Sequence, residues 1–173
     1  GEQLLEWLNK YTFPAEGRFN NREHADRIAE FFIKELFRNG TTAASVFCTV
    51  APQSADALFA VADRYNMRLS AGKSMMNRNA PDYLTDTAQS SYDESKALLE
   101  RWHNTGRLLY CVTPRFAITS TPEQLEMTSA LFHEYDDVLL QSHISENLKE
   151  IETVRELFPD HATYTDVYAH FNL

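Results

Sequence analysis

The chain has 173 residues, of which 43% are hydrophobic and 24% charged, a composition typical of one folded globular domain and not of a disordered segment. Its formal net charge of −9 argues against a nucleic-acid partner, because no basic stripe could offset phosphate charge. No run approaches the roughly 18 apolar residues of a transmembrane helix, and the N-terminus has no signal-peptide pattern, so we expect no membrane partner.

Hydrophobic periodicity predicts an alternation of helices and strands along the chain. The helical patterns repeat apolar side chains near every 3.6 residues, whereas the strand patterns are short and nearly uncharged. The predicted elements, in chain order, are a short helix over 4–13, a loop over 14–21, a helix over 23–38, a buried strand over 41–50, a helix over 54–65, a strand over 67–76, an irregular connection over 77–89, a helix over 91–103, a strand over 107–113, a helix over 121–135, a strand over 138–143 and a helix over 147–158.

Local capping chemistry defines several of these boundaries. Pro14 is expected to end the first helix, and Gly40 to end the second. Two capping boxes are predicted at helix starts, Ser91 with Glu94 and Thr121 with Gln124, and the pattern Asn147-x-x-Glu150 is expected to begin the last helix.

The order of elements, a helix followed by four strand–helix pairs, implies a parallel α/β sheet with right-handed crossovers. Four strands make about half of an eight-stranded (β/α)8 TIM barrel, or a small doubly wound sheet. No G-x-G-x-x-G or G-x-x-x-x-G-K motif follows a strand, which removes the main support for a nucleotide-binding doubly wound fold. We therefore predict a partial barrel.

The two cysteines and the two ends of the chain add weaker indications. Cys48 and Cys111 lie in apolar runs without a C-x-x-C pair, so we expect buried free thiols in a reducing, cytoplasmic setting. The chain begins at Gly1 without an initiator methionine and stops at Leu173 on apolar residues. We expect both ends to continue in a longer protein.

In a parallel sheet the carboxyl ends of the strands share one rim, where α/β proteins place their chemistry. That rim would carry Thr49, then Met76-Asn77, then Arg115 with Phe116, and finally the segment from His143 to Glu146. His143 could ligate a metal and Glu146 could transfer protons, although a strand-end histidine can equally be a hydrogen-bonded structural residue. A catalytic zinc needs about three protein ligands, and His143 is the one credible candidate.

Arg115 and the remaining histidines have different expected roles. The guanidinium of Arg115 suits two adjacent acceptors on a planar ligand, such as O6 and N7 of guanine, but it could also cap a loop or pair with a nearby acidic residue. The other histidines are expected to be solvated surface residues: His24, His103, His133, His161 and His170.

Four motifs of the chain occur together in one known enzyme family. They are, in chain order, Leu4-Leu5-Glu6-Trp7-Leu8-Asn9-Lys10-Tyr11-Thr12-Phe13-Pro14-Ala15-Glu16, Asn39-Gly40-Thr41-Thr42-Ala43, Thr113-Pro114-Arg115-Phe116 and Gln141-Ser142-His143-Ile144-Ser145-Glu146-Asn147. In this order and spacing, over essentially the whole chain, the sequence resembles the guanine deaminases of the metal-dependent amidohydrolase superfamily.

The resemblance implies a (β/α)8 barrel of which residues 1–173, as a single segment, supply roughly the N-terminal half and the second to fifth strands. His143 would be a zinc ligand that also contacts the substrate, Glu146 the catalytic proton shuttle at the substrate, and Arg115 and Phe116 the residues that hold the purine. The implied reaction is zinc-dependent hydrolysis of guanine to xanthine and ammonia.

The resemblance also places the remaining metal ligands outside this chain. The family's H-x-H motif would precede Gly1, and a histidine and an aspartate would follow Leu173, so we expect the chain by itself to be inactive. Two alternatives remain: a non-catalytic half barrel that self-associates as a homodimer or higher assembly through its open edges, and a deaminase of another purine, pterin or triazine ring.

Overall fold

A computed structural model describes residues 4–173, apart from the side chain of Leu5. The helices are α1 (Leu4–Trp7), α2 (Phe13–Glu16), α3 (Arg22–Arg38), α4 (Pro52–Arg64), α5 (Ala88–Trp102), α6 (Pro122–His133), α7 (Leu148–Leu157) and α8 (Tyr164–His170). The strands are β1 (Ala43–Phe47), β2 (Arg68–Gly72), β3 (Ser74–Met75), β4 (Leu108–Pro114) and β5 (Leu139–Leu140). None of the helices described is both long enough and apolar enough to cross a membrane.

The five strands form one parallel sheet in the order β1-β2-β4-β3, with β5 also paired to β4. Lys73 alone separates β2 from β3, and both pair with β4, so together they are the single strand predicted over 67–76. Helices connect successive strands, as parallel pairing requires. The predicted parallel α/β architecture is confirmed.

The two faces of the sheet have different chemistry. Leu69, Tyr110 and Val112 lie in a core that also contains Phe59 of α4 and Trp102 of α5. This apolar packing holds the helices against one face of the sheet.

The opposite face carries a chain of polar side chains. The Ser70 hydroxyl donates to Ser45 Oγ at 2.9 Å, and the Ser45 hydroxyl donates to Gln141 Oε1 at 2.9 Å. The Gln141 amide then donates to Thr113 Oγ1 and to the carbonyl oxygen of Val46, both at 3.1 Å. These bonds link β1, β2 and β4 to the segment after β5, on the face that a closed barrel would turn inward.

Gly72 is required where β2 and β4 approach each other. A Cβ at this position would lie 1.8 Å from the carbonyl oxygen of Cys111 and 2.5 Å from Thr113 Oγ1. Gly72→Ala is therefore expected to lower the free energy of unfolding by about 3 kcal/mol, because the strands must separate. Urea denaturation of the full-length protein measures this.

Gly40→Ala provides the control for that substitution. Gly40 has a φ of +77° but no atom within 4 Å of the added Cβ, so only backbone strain of about 1 kcal/mol is expected. An equal decrease in the free energy of unfolding for the two variants would show that the strands around Gly72 accommodate a Cβ without additional strain.

The N-terminal segment, residues 4–21, differs from the prediction. Pro14 does not end the helical path; it lies in the first turn of α2, where a missing backbone N–H costs no hydrogen bond. A π-helical turn over Leu8–Thr12 precedes α2, and a 3₁₀ turn over Gly17–Asn20 follows it. The predicted loop over 14–21 is thus largely helical.

The capping predictions have mixed outcomes. The helix predicted to begin at Asn147 does so, and Asn147 and Glu150 form a reciprocal capping box at α7. The box of Ser91 with Glu94 is wrong, because α5 begins earlier, at a box formed by Thr87 and Ser90.

At α6, Thr121 accepts from the backbone of Gln124 as predicted, but the reciprocal half of the box is missing. The Thr121 N–H donates instead to Asn77 Oδ1 at 2.9 Å, and the Gln124 amide donates to Ser91 at 2.8 Å and to Asp86 at 3.0 Å. These hydrogen bonds to residues distant in sequence replace the local hydrogen bond between the Thr121 N–H and the Gln124 side chain.

The strand predicted to be buried over 41–50 is less buried than expected. β1 alternates between exposed and half-buried side chains, with Phe47 37% exposed, because it lies at the edge of the sheet. Leu139 in β5 is 42% exposed. The thiols agree with expectation: Cys48 and Cys111 are free and buried, and burial raises the pKa of each to about 12.

Candidate active site

The rim at the carboxyl ends of the strands brings together the residues singled out from the sequence. The backbone N–H of Arg115 donates to Met75 O at 3.3 Å, and that of His143 donates to Arg115 O at 3.0 Å. Arg115, Phe116, His143 and Glu146 line one concavity, together with Leu8. All of the predicted site residues therefore lie at one place.

The other rim residues from the sequence do not line this concavity. Thr49 accepts from the backbone of Ala51 at the start of α4. Asn77 exchanges hydrogen bonds with Thr121, and Met76 is fully buried in the core. Their roles are structural.

His143 is held in a defined orientation by the backbone. Its Nδ1 lies 2.8 Å from the carbonyl oxygen of Arg115, which can only accept, so Nδ1 carries the hydrogen. In the neutral ring Nε2 then keeps its lone pair, and no described residue hydrogen-bonds to it. An imidazole held by a carbonyl at one nitrogen and open at the other has the arrangement of a metal ligand.

Two aromatic rings border the imidazole of His143. The centroid of the Phe47 ring lies 4.3 Å from that of His143, and the centroid of Phe116 lies 6.3 Å away in an edge-on arrangement. Phe116 is only 3% exposed. Apolar neighbours of this kind lower the local dielectric and strengthen polar contacts within the site.

Tyr168 of α8 supports the same strand end, and sequence analysis missed it. Its hydroxyl donates to His143 O at 3.0 Å, accepts from the Ala117 N–H at 2.9 Å, and lies 2.9 Å from Ser142 Oγ. Burial raises the pKa of Tyr168, so the hydroxyl stays protonated and can donate. The spacing of Tyr164, Val167, Tyr168 and Phe171 was the available signal for α8.

Glu146 lies just before α7, which begins at Leu148. Its backbone N–H donates to Glu150 Oε2 at 2.7 Å, and that oxygen also accepts from the Asn147 N–H at 3.1 Å. Glu150 is fully buried and holds the turn. The side chain of Glu146 is exposed, and no described residue hydrogen-bonds to it, so it is available to a ligand in the concavity.

Arg115 makes an ion pair that the sequence indicated only in general terms. Its Nη1 donates to both carboxylate oxygens of Glu16, at 2.9 and 2.8 Å. The two side chains are 12% and 17% exposed, and the guanidinium lies 5.5 Å from the centroid of the Phe13 ring. The partner is a glutamate from the N-terminal segment, distant in sequence.

The metal-binding capacity of the described residues is limited. No group of three His, Cys, Asp or Glu side chains within residues 4–173 could hold a metal ion. His143 fits as one ligand, through Nε2. The other ligands of a catalytic site would come from residues outside 4–173.

The expectation for the remaining histidines is wrong for His103. Its side chain is 6% exposed, its Nδ1 accepts from the Tyr110 N–H at 2.9 Å, and its Nε2 lies 3.2 Å from Asp137. It joins the end of α5 to β4, because burial leaves its ring nitrogens no water to bind.

Comparisons with known proteins show the family to which the chain belongs. The sequence profile of the Amidohydrolase family matches residues 1–173. The chain is 60% identical to the guanine deaminase of Escherichia coli (strain K12) over 173 residues, which is all of this chain and 39% of that protein.

Solved structures give the same result. The E. coli guanine deaminase superposes with a TM-score of 0.96 at 58% identity, over 97% of this chain and 39% of that one. The guanine deaminase from C. acetobutylicum with guanine bound in its active site has a TM-score of 0.94 at 33% identity, over 99% of this chain and 41% of that one. The chain thus spans about two fifths of the length of these relatives. Because the family profile covers its whole length, the chain belongs to the amidohydrolase family.

Proposed function

We propose that residues 1–173 form part of a guanine deaminase, which hydrolyses guanine to xanthine and ammonia. The observation that carries the proposal is the convergence of Arg115, Phe116, His143 and Glu146 on one concavity. The 60% identity to a guanine deaminase over the whole chain supports it. In this proposal the segment is roughly the N-terminal half of a (β/α)8 barrel and supplies its second to fifth strands.

Each residue has a role that its geometry supports. Arg115 presents N–H groups to the acceptors on the edge of the purine, and Phe116 forms an apolar wall beside the ring. The free carboxylate of Glu146 takes a proton from the attacking water and delivers one to the leaving amine. His143 offers Nε2 to zinc, which when bound lowers the pKa of water and so makes a nucleophile available near neutral pH.

Guanine is favoured over adenine by the chemistry of Arg115. A guanidinium donates two parallel hydrogen bonds, and guanine presents two acceptors, O6 and N7, side by side. Adenine places a donor amine where guanine has O6, which leaves one N–H of the arginine opposite another donor. Pterin and triazine rings remain the alternative substrates to be tested.

The open edge of the sheet supports the expectation that this segment needs partners. Among the described residues no strand pairs with the outer side of β1, and Phe47 there is 37% exposed. Further barrel strands would cover this edge in the complete protein. Self-association of the isolated segment, as a dimer or higher assembly, is the alternative.

A direct test compares the complete protein with the isolated chain of residues 1–173. We expect the complete protein to bind about one zinc per chain, as an open catalytic site does, and to consume guanine, measured by the loss of its ultraviolet absorbance. The isolated chain should do neither, and light scattering should show an assembly larger than a monomer. A zinc-loaded complete protein without activity on guanine would refute the proposal.

Substrate recognition has its own test in the complete enzyme. Arg115→Ala is expected to raise the KM for guanine roughly ten- to a hundredfold, because two charge-assisted hydrogen bonds are lost. Steady-state kinetics at constant zinc occupancy measure the change. Arg155→Ala, at an exposed position of α7, should leave KM unchanged, and the same result for Arg115→Ala would exclude Arg115 from the purine site.

A further inference from the structure

We propose that Glu16 is a positioning residue for substrate recognition: it fixes the guanidinium of Arg115 so that the remaining N–H groups face O6 and N7 of a 6-oxopurine. This inference rests on the proposed function and adds to it a residue with no contact to the reacting atoms. It also assigns a role in the site to the N-terminal segment.

The ion pair acts as a clamp that holds one end of the Arg115 guanidinium. Both oxygens of Glu16 accept from a single nitrogen, Nη1, at 2.9 and 2.8 Å. Among the described residues none accepts from Nε or Nη2 of Arg115. The carboxylate therefore occupies one corner of the guanidinium and leaves the edge formed by Nε and Nη2, which can meet two adjacent acceptors.

Burial makes this clamp effective. The side chains of Arg115 and Glu16 are 12% and 17% exposed, so water competes little for their charges. Without Glu16 the guanidinium would be a largely buried, uncompensated cation, and it would turn toward solvent or toward another acceptor. Either change removes the donor edge from the concavity.

The N-terminal segment holds Glu16 in place. The ring of Phe13, which is 2% exposed, lies below the guanidinium, 5.5 Å from its centre. At the next position along the chain a Cβ on Gly17 would lie 2.7 Å from the ring of Tyr83, so the backbone is packed directly against that side chain. The Asn20 amide also donates to Tyr83 O at 3.2 Å.

The same segment forms one wall of the concavity. Leu8 lines it beside Arg115 and is 6% exposed. Glu16 ends α2, only a short helical stretch beyond Leu8. The segment from Leu8 to Glu16 thus supplies both an apolar surface for the ligand and the carboxylate that orients the arginine.

The test uses Glu16→Gln in the complete, zinc-loaded enzyme. The amide keeps the size of the side chain but loses the charge that orients Arg115. We expect KM for guanine to rise roughly tenfold or more with kcat within about threefold of wild type, the pattern of lost ground-state binding. Glu6→Gln, at an exposed carboxylate on α1, is the matched control and should change neither constant.

Two readouts separate positioning from a purely structural role. In the double variant Glu16→Gln with Arg115→Ala, KM should equal that of Arg115→Ala alone, because Glu16 acts through the arginine. The preference for guanine over 7-deazaguanine, which lacks the N7 acceptor, should also fall in Glu16→Gln. A KM equal to that of Glu6→Gln, or independent effects in the double variant, would overturn the inference.

The design also distinguishes this inference from the proposed function. If the wild-type complete enzyme consumes no guanine, the proposed function itself fails. If wild type is active and Arg115→Ala raises KM while Glu16→Gln does not, only the positioning role fails. Should Glu16→Gln not fold, Glu16→Asp keeps the charge but withdraws its oxygens by one methylene. An unchanged KM in that variant would count against the clamp.

Discussion

Replacing Glu146 by glutamine in the complete enzyme is expected to lower kcat for guanine roughly a hundred- to ten-thousandfold, the usual contribution of a positioned general acid–base group. Glutamine keeps the shape of the side chain but cannot exchange protons. The backbone N–H of residue 146 would still donate to Glu150, so the turn and α7 should remain intact. Zinc content and KM should change little.

The control for Glu146→Gln is Glu152→Gln, at an exposed carboxylate on α7, the helix that follows Glu146. It should retain wild-type kcat. The measurement is the steady-state rate of guanine loss at equal zinc occupancy, with metal content determined for each variant. A kcat for Glu146→Gln within about threefold of the control would exclude Glu146 as the proton shuttle, since the smallest usual contribution of such a group is near a hundredfold.

Removing His143 is expected to weaken zinc binding by more than roughly a hundredfold, because even residues that only orient a ligand contribute ten- to a hundredfold to metal affinity. His143→Ala should therefore lose zinc on dialysis against a chelator under conditions where wild type retains it. Activity should be lost in parallel. His133→Ala, at an exposed histidine on α6, should keep both metal and activity.

His143→Asn distinguishes a metal ligand from a structural histidine. The asparagine amide can replace Nδ1 in donating to the carbonyl oxygen of Arg115, but it offers no nitrogen lone pair in place of Nε2. If His143 is a ligand, this variant should lose zinc like His143→Ala while its thermal unfolding stays near wild type. Full zinc content in His143→Asn would show that the residue serves the fold alone.

The general position of the site could be predicted from the sequence because parallel strands end at a common rim. Arg115 and His143 each follow a strand pattern, so alternation of elements was enough to place them together. The orientation of each side chain could not be predicted from the order of helices and strands. Arg115 pairs with a carboxylate 99 positions away, and Tyr168 donates to His143 from a helix that the sequence analysis did not identify.

The capping predictions also show that local sequence proposes a helix start but distant residues select it. Thr87 with Ser90 and Ser91 with Glu94 offer similar local chemistry. The first pair begins α5, because Ser91 is fully buried and accepts from Gln124, while Glu94 lies 3.1 Å from the Lys73 ammonium. Burial and charge pairing, which depend on distant residues, decided between the two.

The sequence by itself determined the alternation of helices and parallel strands, the rim on which Arg115, Phe116, His143 and Glu146 lie, and the resemblance to guanine deaminases. These follow from local periodicity and from motif order, both of which are written along the chain. Tertiary structure alone decided that Nε2 of His143 is the open nitrogen, that Tyr168 donates to the carbonyl oxygen of His143, and that Glu16 occupies one corner of the Arg115 guanidinium. These hydrogen bonds and this ion pair join residues that are distant in sequence. They form only when the N-terminal segment and α8 pack against the end of the sheet.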